Sequence, residues 1–156
     1  MLQSFGQGND RVTPLQIAMV SAAIANGGQL MTPALVQRVS APDLSPLQEF
    51  EATEYSRAIS PSVARTLTEM MVSNVASGVA SGARIDGVDV AGKSGTAQNG
   101  PDDPYTLWYT GFAPAADPQV AVAVVLEDGA GLGQRGSGNG NAGPIAKKVI
   151  EAVLNR

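Results

Sequence analysis

The chain has 156 residues, enough for one domain with a sizeable core, and is 44% apolar but only 15% charged. With no Cys and no His it has no disulfide, thiolate nucleophile, Ser-His-Asp triad or ordinary zinc site, so nucleophilic chemistry must use Ser or Thr with a Lys or carboxylate base. A net charge of -4 with no basic run argues against nucleic acid or an anionic membrane as partner, and the low charge content predicts that part of the surface is normally covered.

The first residues, Met1 to Gly6, show neither the basic start nor the apolar run of a signal peptide. Thr13-Pro14-Leu15-Gln16 then opens a helix: Thr13 as N-cap, Pro14 at the first helical position and Gln16 closing a capping box. Asn26-Gly27-Gly28 ends it. Leu35 to Val39 reads as a short strand and Ala41 to Pro46 as a loop. Ser60-Pro61 starts a second helix running to about Val75, with Val63, Leu67, Met70, Met71 and Val75 as its apolar stripe and the two Met as core filler.

A small-residue connector follows from Ser77 to Gly87. Val88 to Ala91, Leu107 to Ala113 and Gln119 to Glu127 read as strands; the last is a near-continuous Val/Ala run expected of a central strand covered on both faces. The longest apolar run, Val120 to Leu126, is too short to span a bilayer. Asp128 to Gly143 is a loop holding seven Gly, and Pro144 to Leu154 is a closing helix. Helix, helix, three closely connected strands and a helix predict an α+β fold, an antiparallel sheet flanked by helices.

Within this order, Gly87 to Gln98 (GVDVAGKSGTAQ) can be read in two ways. Gly87, Gly92, Lys93 and Ser94 fit the phosphate-cradling pattern G-x-x-x-x-G-K-[ST]. A P-loop, however, needs a strand before its first Gly and a helix from its Lys-Ser. Here Ser81 to Asp86 is a weak strand, and Ser94 is followed by GTAQNGPDDP, which has no helical period. In the second reading Lys93-Ser94-Gly95 resembles the Lys-Thr/Ser-Gly triplet of penicillin-recognising enzymes, and the resemblance implies an edge strand facing a cleft. Alternation then sets Lys93 and Gly95 on one side, Ser94 and Thr96 on the other. Gly95 lets a ligand lie against the backbone, the free strand edge can pair with a peptide, Lys93 offers a cation, Ser94 and Thr96 offer hydroxyls, and the N–H after Gly95 can face an oxyanion.

The wider pattern supports this second reading. Gly92-Lys93-Ser94-Gly95-Thr96-Ala97-Gln98 resembles the GK[ST]GTA[QE] block of class B high-molecular-weight penicillin-binding proteins. Ser4 to Gly8 (SFGQG) with Val12 to Ala18 (VTPLQIA), Ala25 to Gly28 with Pro33, Trp108 to Pro114 (WYTGFAP) and Gly143 to Ala146 resemble further blocks of that family, in family order over nearly the whole chain. The resemblance implies a partial penicillin-binding, serine β-lactamase-like transpeptidase fold. It also implies a D,D-transpeptidase that cross-links peptidoglycan through a serine acyl-enzyme on the external face of the bacterial cell membrane, and that β-lactams acylate. Lys93, Ser94, Gly95 and Thr96 would bind the substrate end, and Lys93 and Thr96 would also serve catalysis, Thr96 through half of an oxyanion hole. No metal or organic cofactor is implied. The partners implied are a stem peptide or β-lactam and, for the membrane, an anchor on a parent chain.

Two family motifs are missing. No Ser-x-x-Lys occurs, because Val90, Pro144 and Ile145 stand three residues before Lys93, Lys147 and Lys148. Ser137-Gly138-Asn139 matches Ser-x-Asn only by letters and follows the Lys-Ser-Gly triplet instead of preceding it. The expectation is therefore that residues 1–156 are the C-terminal half of a transpeptidase domain. The nucleophile would lie in an N-terminal half that is the chain's natural partner, and residues 1–156 alone would be inactive. The remaining alternatives are a non-catalytic relative that keeps the carboxylate site, and the P-loop NTPase.

Overall fold

The computed structural model describes Gln7 and residues 11–155. Of the SFGQG block only Gln7 is among them; Ser4, Phe5, Gly6 and Gly8 lie outside the described residues. Helix α1 (Pro14–Ala25) begins with the expected capping box: Gln16 N–H donates to Thr13 Oγ1 at 3.2 Å and Thr13 N–H to Gln16 Oε1 at 2.8 Å. It ends at Asn26, and Gly28 turns the chain at φ 92°, where a Cβ would run into the backbone carbonyl of Ile59. Helix α2 (Pro61–Ser77) is capped by Ser60, whose Oγ accepts from Val63 N–H.

Between these helices lie four short strands, of which the sequence reading found part of one. β1 (Gln29–Met31) pairs antiparallel with β4 (Glu54–Arg57), and β2 (Arg38–Ser40) with β3 (Pro46–Glu49). The strand expected at Leu35 to Val39 is thus displaced to Arg38–Ser40. Strands of three and four residues are too short to carry a usable alternation, so their pairing is invisible to periodicity.

The main sheet is antiparallel, in the order β5 (Ala91–Ala97), β6 (Thr106–Ala113), β7 (Val120–Leu126). Helix α1 packs on one face, helix α3 (Gly143–Leu154) on the other, and α2 lies along β5. The α+β expectation holds, with three corrections. β6, not β7, is the central strand. Helices cover both faces of β7, as its apolar run suggested, but sequence hydrophobicity reports face burial and not lateral position. Val88 to Val90 is not a ladder strand: Val88 pairs with Ile85 in an isolated bridge, and β5 begins at Ala91 opposite Phe112. Beyond Ala91 the regular ladder gives way to a single backbone bond across the Ala113-Pro114 step, Ala115 N–H to Asp89 O at 2.8 Å; Pro114 itself has no N–H to give. Finally, Met70 is 63% exposed and Val63 is also exposed, so the buried side of α2 centres on Ala64 and Val75.

The core lies between the sheet and α3, with Tyr109, Ala113, Val122, Ala146 and Ile150 at its centre and Val75 reaching it from α2. Tyr109 is fully buried and its hydroxyl donates to Ala80 O at 3.0 Å; burial also pushes the phenol's pKa up. The Gly-rich segment is more ordered than a plain loop. It holds a turn at Glu127–Gly131, in which Asp128, Gly129 and Ala130 are all left-handed, and a π-helical turn at Gly138–Ala142.

Candidate active-site edge

The motif residues lie on β5, whose inner edge pairs with β6 and whose outer edge pairs with no strand among the described residues. Lys93 stands opposite Thr110, Ser94 opposite Tyr109, Gly95 opposite Trp108 and Thr96 opposite Leu107. The expected alternation is present. Thr110, on the Lys93 and Gly95 face, shares a 2.6 Å hydroxyl contact with Ser21 of α1. Tyr109, on the Ser94 and Thr96 face, is buried towards α3. A Cβ added at Gly95 would meet only Trp108 Cβ, at 3.4 Å, so the surface there is open.

The four motif residues share one strand edge, but their side chains do not converge on one point. The exposed Lys93 folds its ammonium onto Ser94 O. Ser94 Oγ donates to Val79 O at 2.7 Å. Thr96 Oγ1 accepts from Gly138 N–H at 3.1 Å and so keeps its own proton for an anion. The two hydroxyls are therefore fixed by opposite ends of the surrounding shell, the connector after α2 and the π-helical turn.

Other residues hold the edge in place and were not singled out from the sequence. Asn74, in the last turn of α2, donates to Gly92 O at 3.0 Å and accepts from Val79 N–H at 3.1 Å. It thereby ties α2, the connector and β5 together. Arg84 donates to Val75 O and Ala76 O at the C-terminus of α2, where a cation complements the helix dipole. Gly138 lies so close over β5 and β6 that a Cβ would strike Gly95 O and Trp108 O. Gln134 donates to Pro101 O at 2.8 Å and Asp103 O at 3.0 Å, clipping the β5–β6 connection to the Gly-rich segment. Only a weak hint of these roles exists in the sequence: carboxamides and a Gly placed near strand ends.

Ser137-Gly138-Asn139 is structural, as its position in the chain suggested. Ser137 Oγ accepts from Gly140 N–H, and Asn139 Oδ1 from Gly82 N–H at 2.7 Å. The phosphate-loop reading fails on geometry: Lys93 and Ser94 sit inside a strand, and no helix begins there. Among the described residues no cluster of three or more acidic side chains suited to a metal occurs.

The outward pattern of β5 gives the edge its chemistry. In a strand the N–H and C=O of one residue point the same way and those of the next point oppositely. Thr96 O and Gln98 N–H both bond to Gln7, off the β6 side, so the even-numbered residues face outward. Ser94 N–H and Thr96 N–H accordingly point out from the edge, beside two hydroxyls and an ammonium. Such an edge suits a carboxylate and a developing oxyanion.

Comparison with known proteins gives the family. Residues 1–151 match the family model described as the penicillin binding protein transpeptidase domain. The chain is 45% identical to the peptidoglycan D,D-transpeptidase PbpA of Mycolicibacterium smegmatis, over 98% of this chain but 31% of that protein. Penicillin-binding protein A from M. tuberculosis, solved as a ceftriaxone acyl-enzyme complex, superposes with a TM-score of 0.90 at 42% identity, covering 98% of this chain and 35% of the other. The penicillin G acyl-enzyme complex of the same protein gives 0.83 at 42% identity, with 98% and 34% covered. The chain thus spans about a third of the curated relatives it matches. A strand edge with outward amides, a Lys-Ser-Gly-Thr run along it, and a match over residues 1–151 lead to one assignment: this chain belongs to the penicillin-binding protein transpeptidase domain family.

Proposed function

We propose that residues 1–156 form the substrate-end-binding, C-terminal half of a peptidoglycan D,D-transpeptidase domain. The observation that carries this reading is the outer edge of β5, where Ser94 N–H and Thr96 N–H point outward beside Lys93 and the Thr96 hydroxyl. The terminal carboxylate of a stem peptide binds at Lys93, Ser94 and Thr96. The penultimate D-Ala carbonyl then sits against Thr96 N–H, which supplies half of the oxyanion hole. Gly95 keeps the approach clear, since nothing but Trp108 Cβ stands near its Cβ position.

The chemistry needs a serine nucleophile from a Ser-x-x-Lys motif, which no part of residues 1–156 contains. That serine attacks the penultimate carbonyl, the terminal D-Ala leaves with the proton, and an amine from a second stem resolves the ester. The same serine opens a β-lactam ring. Substrate binding requires Ser94 Oγ to release Val79 O, or else to act only as an acceptor. The site works on peptidoglycan outside the cytoplasmic membrane; among the described residues no helix is long and apolar enough to cross a membrane.

Covalent labelling with fluorescent penicillin tests the reading. A polypeptide joining residues 1–156 to a Ser-x-x-Lys half should label, and Lys93→Ala should slow labelling by roughly 10²–10³-fold, the scale of a lost transition-state charge contact. Residues 1–156 alone should not label. Labelling of this chain by itself, or full labelling of the Lys93→Ala protein, would sink the proposal.

A further inference from the structure

The carbonyls on the outer edge of β5 are already occupied. Gly92 O accepts from Asn74, Ser94 O from Lys93, and Thr96 O from Gln7 Nε2 at 3.4 Å. Gln98 N–H donates to Gln7 Oε1 at 3.3 Å. One carboxamide therefore takes the C=O of residue 96 and the N–H of residue 98, two groups that a neighbouring antiparallel strand would pair with. Both bonds are longer than the usual 2.9–3.0 Å mode, about as expected when a compact carboxamide spans groups on alternate residues. Gln7 lies 89 residues before Thr96, so this is a tertiary arrangement and not a local turn.

Under the function proposed above, on which this step rests, the direction of the substrate follows. Its carboxylate lies towards Lys93 and its attacked carbonyl at Thr96 N–H. Moving along β5 from Lys93 to Thr96 thus runs backward through the substrate, which fixes an antiparallel approach. The N–H of the attacked residue then falls at Thr96 O, and the carbonyl two residues earlier at Gln98 N–H. These are the two groups that Gln7 holds.

We propose that Gln7 is a displaceable placeholder: its carboxamide satisfies Thr96 O and Gln98 N–H until the substrate backbone replaces it. It is a specificity-determining residue, because only ligands with an amide N–H beside the attacked carbonyl compete with it. Strand addition is open to such a swap, since exchanging one weak pair of bonds for another costs little.

The test compares two β-lactams on an acylation-competent polypeptide containing residues 1–156. Penicillin G has an acylamino N–H to place on Thr96 O; imipenem has none. Gln7→Ala removes the competitor, and Gln7→Met removes it while keeping the side chain's bulk. In both variants the second-order acylation rate by penicillin G should rise relative to that by imipenem, by roughly three- to tenfold, the scale of one hydrogen bond. A fall of both rates together would show that Gln7 only supports the fold. An unchanged ratio, or a selective fall for penicillin G, would equally overturn the placeholder. If the unmodified polypeptide is acylated by neither drug, the proposed function fails and this inference with it; acylation without a change in ratio overturns the inference alone.

Discussion

The β5–β7 sheet and the arm made by β1–β4 are both antiparallel, yet they are stabilised by different means. In the sheet, Leu107, Tyr109 and Phe112 are completely buried, and helices pack on both faces. In the arm, Leu35, Leu44 and Leu47 stand out in solvent, and every residue of β3 and β4 is exposed. The sheet is held by apolar burial and a few buried hydrogen bonds. The arm is held by ladder bonds, by Gln29 bonding Glu54 at 2.7 Å, and by the chemistry of its turn. The lesson concerns the site. Residues that must hold an edge to within a fraction of an ångström are placed on the element with the buried core, and β5 inherits its rigidity from Tyr109 and α2.

That contrast is most exposed to disproof at Tyr109. Tyr109→Ala should destabilise by about 3–5 kcal/mol through the cavity it leaves, and Tyr109→Phe by about 1–3 kcal/mol because Ala80 O loses its donor. Urea denaturation measures both, and a loss below about 1 kcal/mol for the alanine variant would contradict the claim that the sheet carries the stability.

A smaller effect is expected at Gly138, where the π-helical turn meets β5. Gly138→Ala forces the turn away from Gly95 O and Trp108 O, at roughly 1–3 kcal/mol, and should break the Gly138 N–H to Thr96 Oγ1 bond. The Thr96 hydroxyl resonance and the melting midpoint should move together. A stability change with no response at Thr96 would separate the turn from the site.

The smallest effects belong to the arm's tip. Leu44 sits at φ 67°, a region that Gly tolerates better, so Leu44→Gly should be neutral or stabilising by up to about 1 kcal/mol. Beside it, Asp43 accepts from the hydroxyl of Ser45 at 2.6 Å and from its N–H at 3.1 Å, and these bonds hold its carboxyl below the usual range. A depressed carboxylate pKa adds stability above the ordinary range and loses it as pH falls through the folded value. The Ser45 amide shift should accordingly titrate at a lower pH than a free aspartate, with the rest of the protein unaffected. Titration at the ordinary value would mean that the turn is held by something else.

Local chemistry was legible wherever the decisive partner lay within a few residues. Thr13 with Gln16, Pro14, Ser60-Pro61 and the Asn26-Gly27-Gly28 stop mark helix ends through contacts three or four residues long. The GKSGTA run also announced itself, through alternation and its flanking blocks. What misled was local hydrophobicity read without its packing partner. Met70 lies on an apolar period but on the exposed side of α2, and Val88 to Val90 has β-branched residues but no ladder partner. The short arm strands escaped because their pairing, Gln29 with Arg57 for example, spans a loop and leaves no apolar signature.

The sequence by itself determined the helices, the alternation of Lys93 and Gly95 against Ser94 and Thr96, and the family resemblance that implied an edge strand. Tertiary structure alone decided which strand is central, that Thr96 takes its hydrogen bond from Gly138, that Ser94 is turned onto Val79, and that Gln7 lies on the edge beside Thr96. The reason is range. Backbone propensity, capping and strand period act over a few residues, whereas hydrogen bonds across 42 or 89 residues exist only once the sheet and its helices have packed.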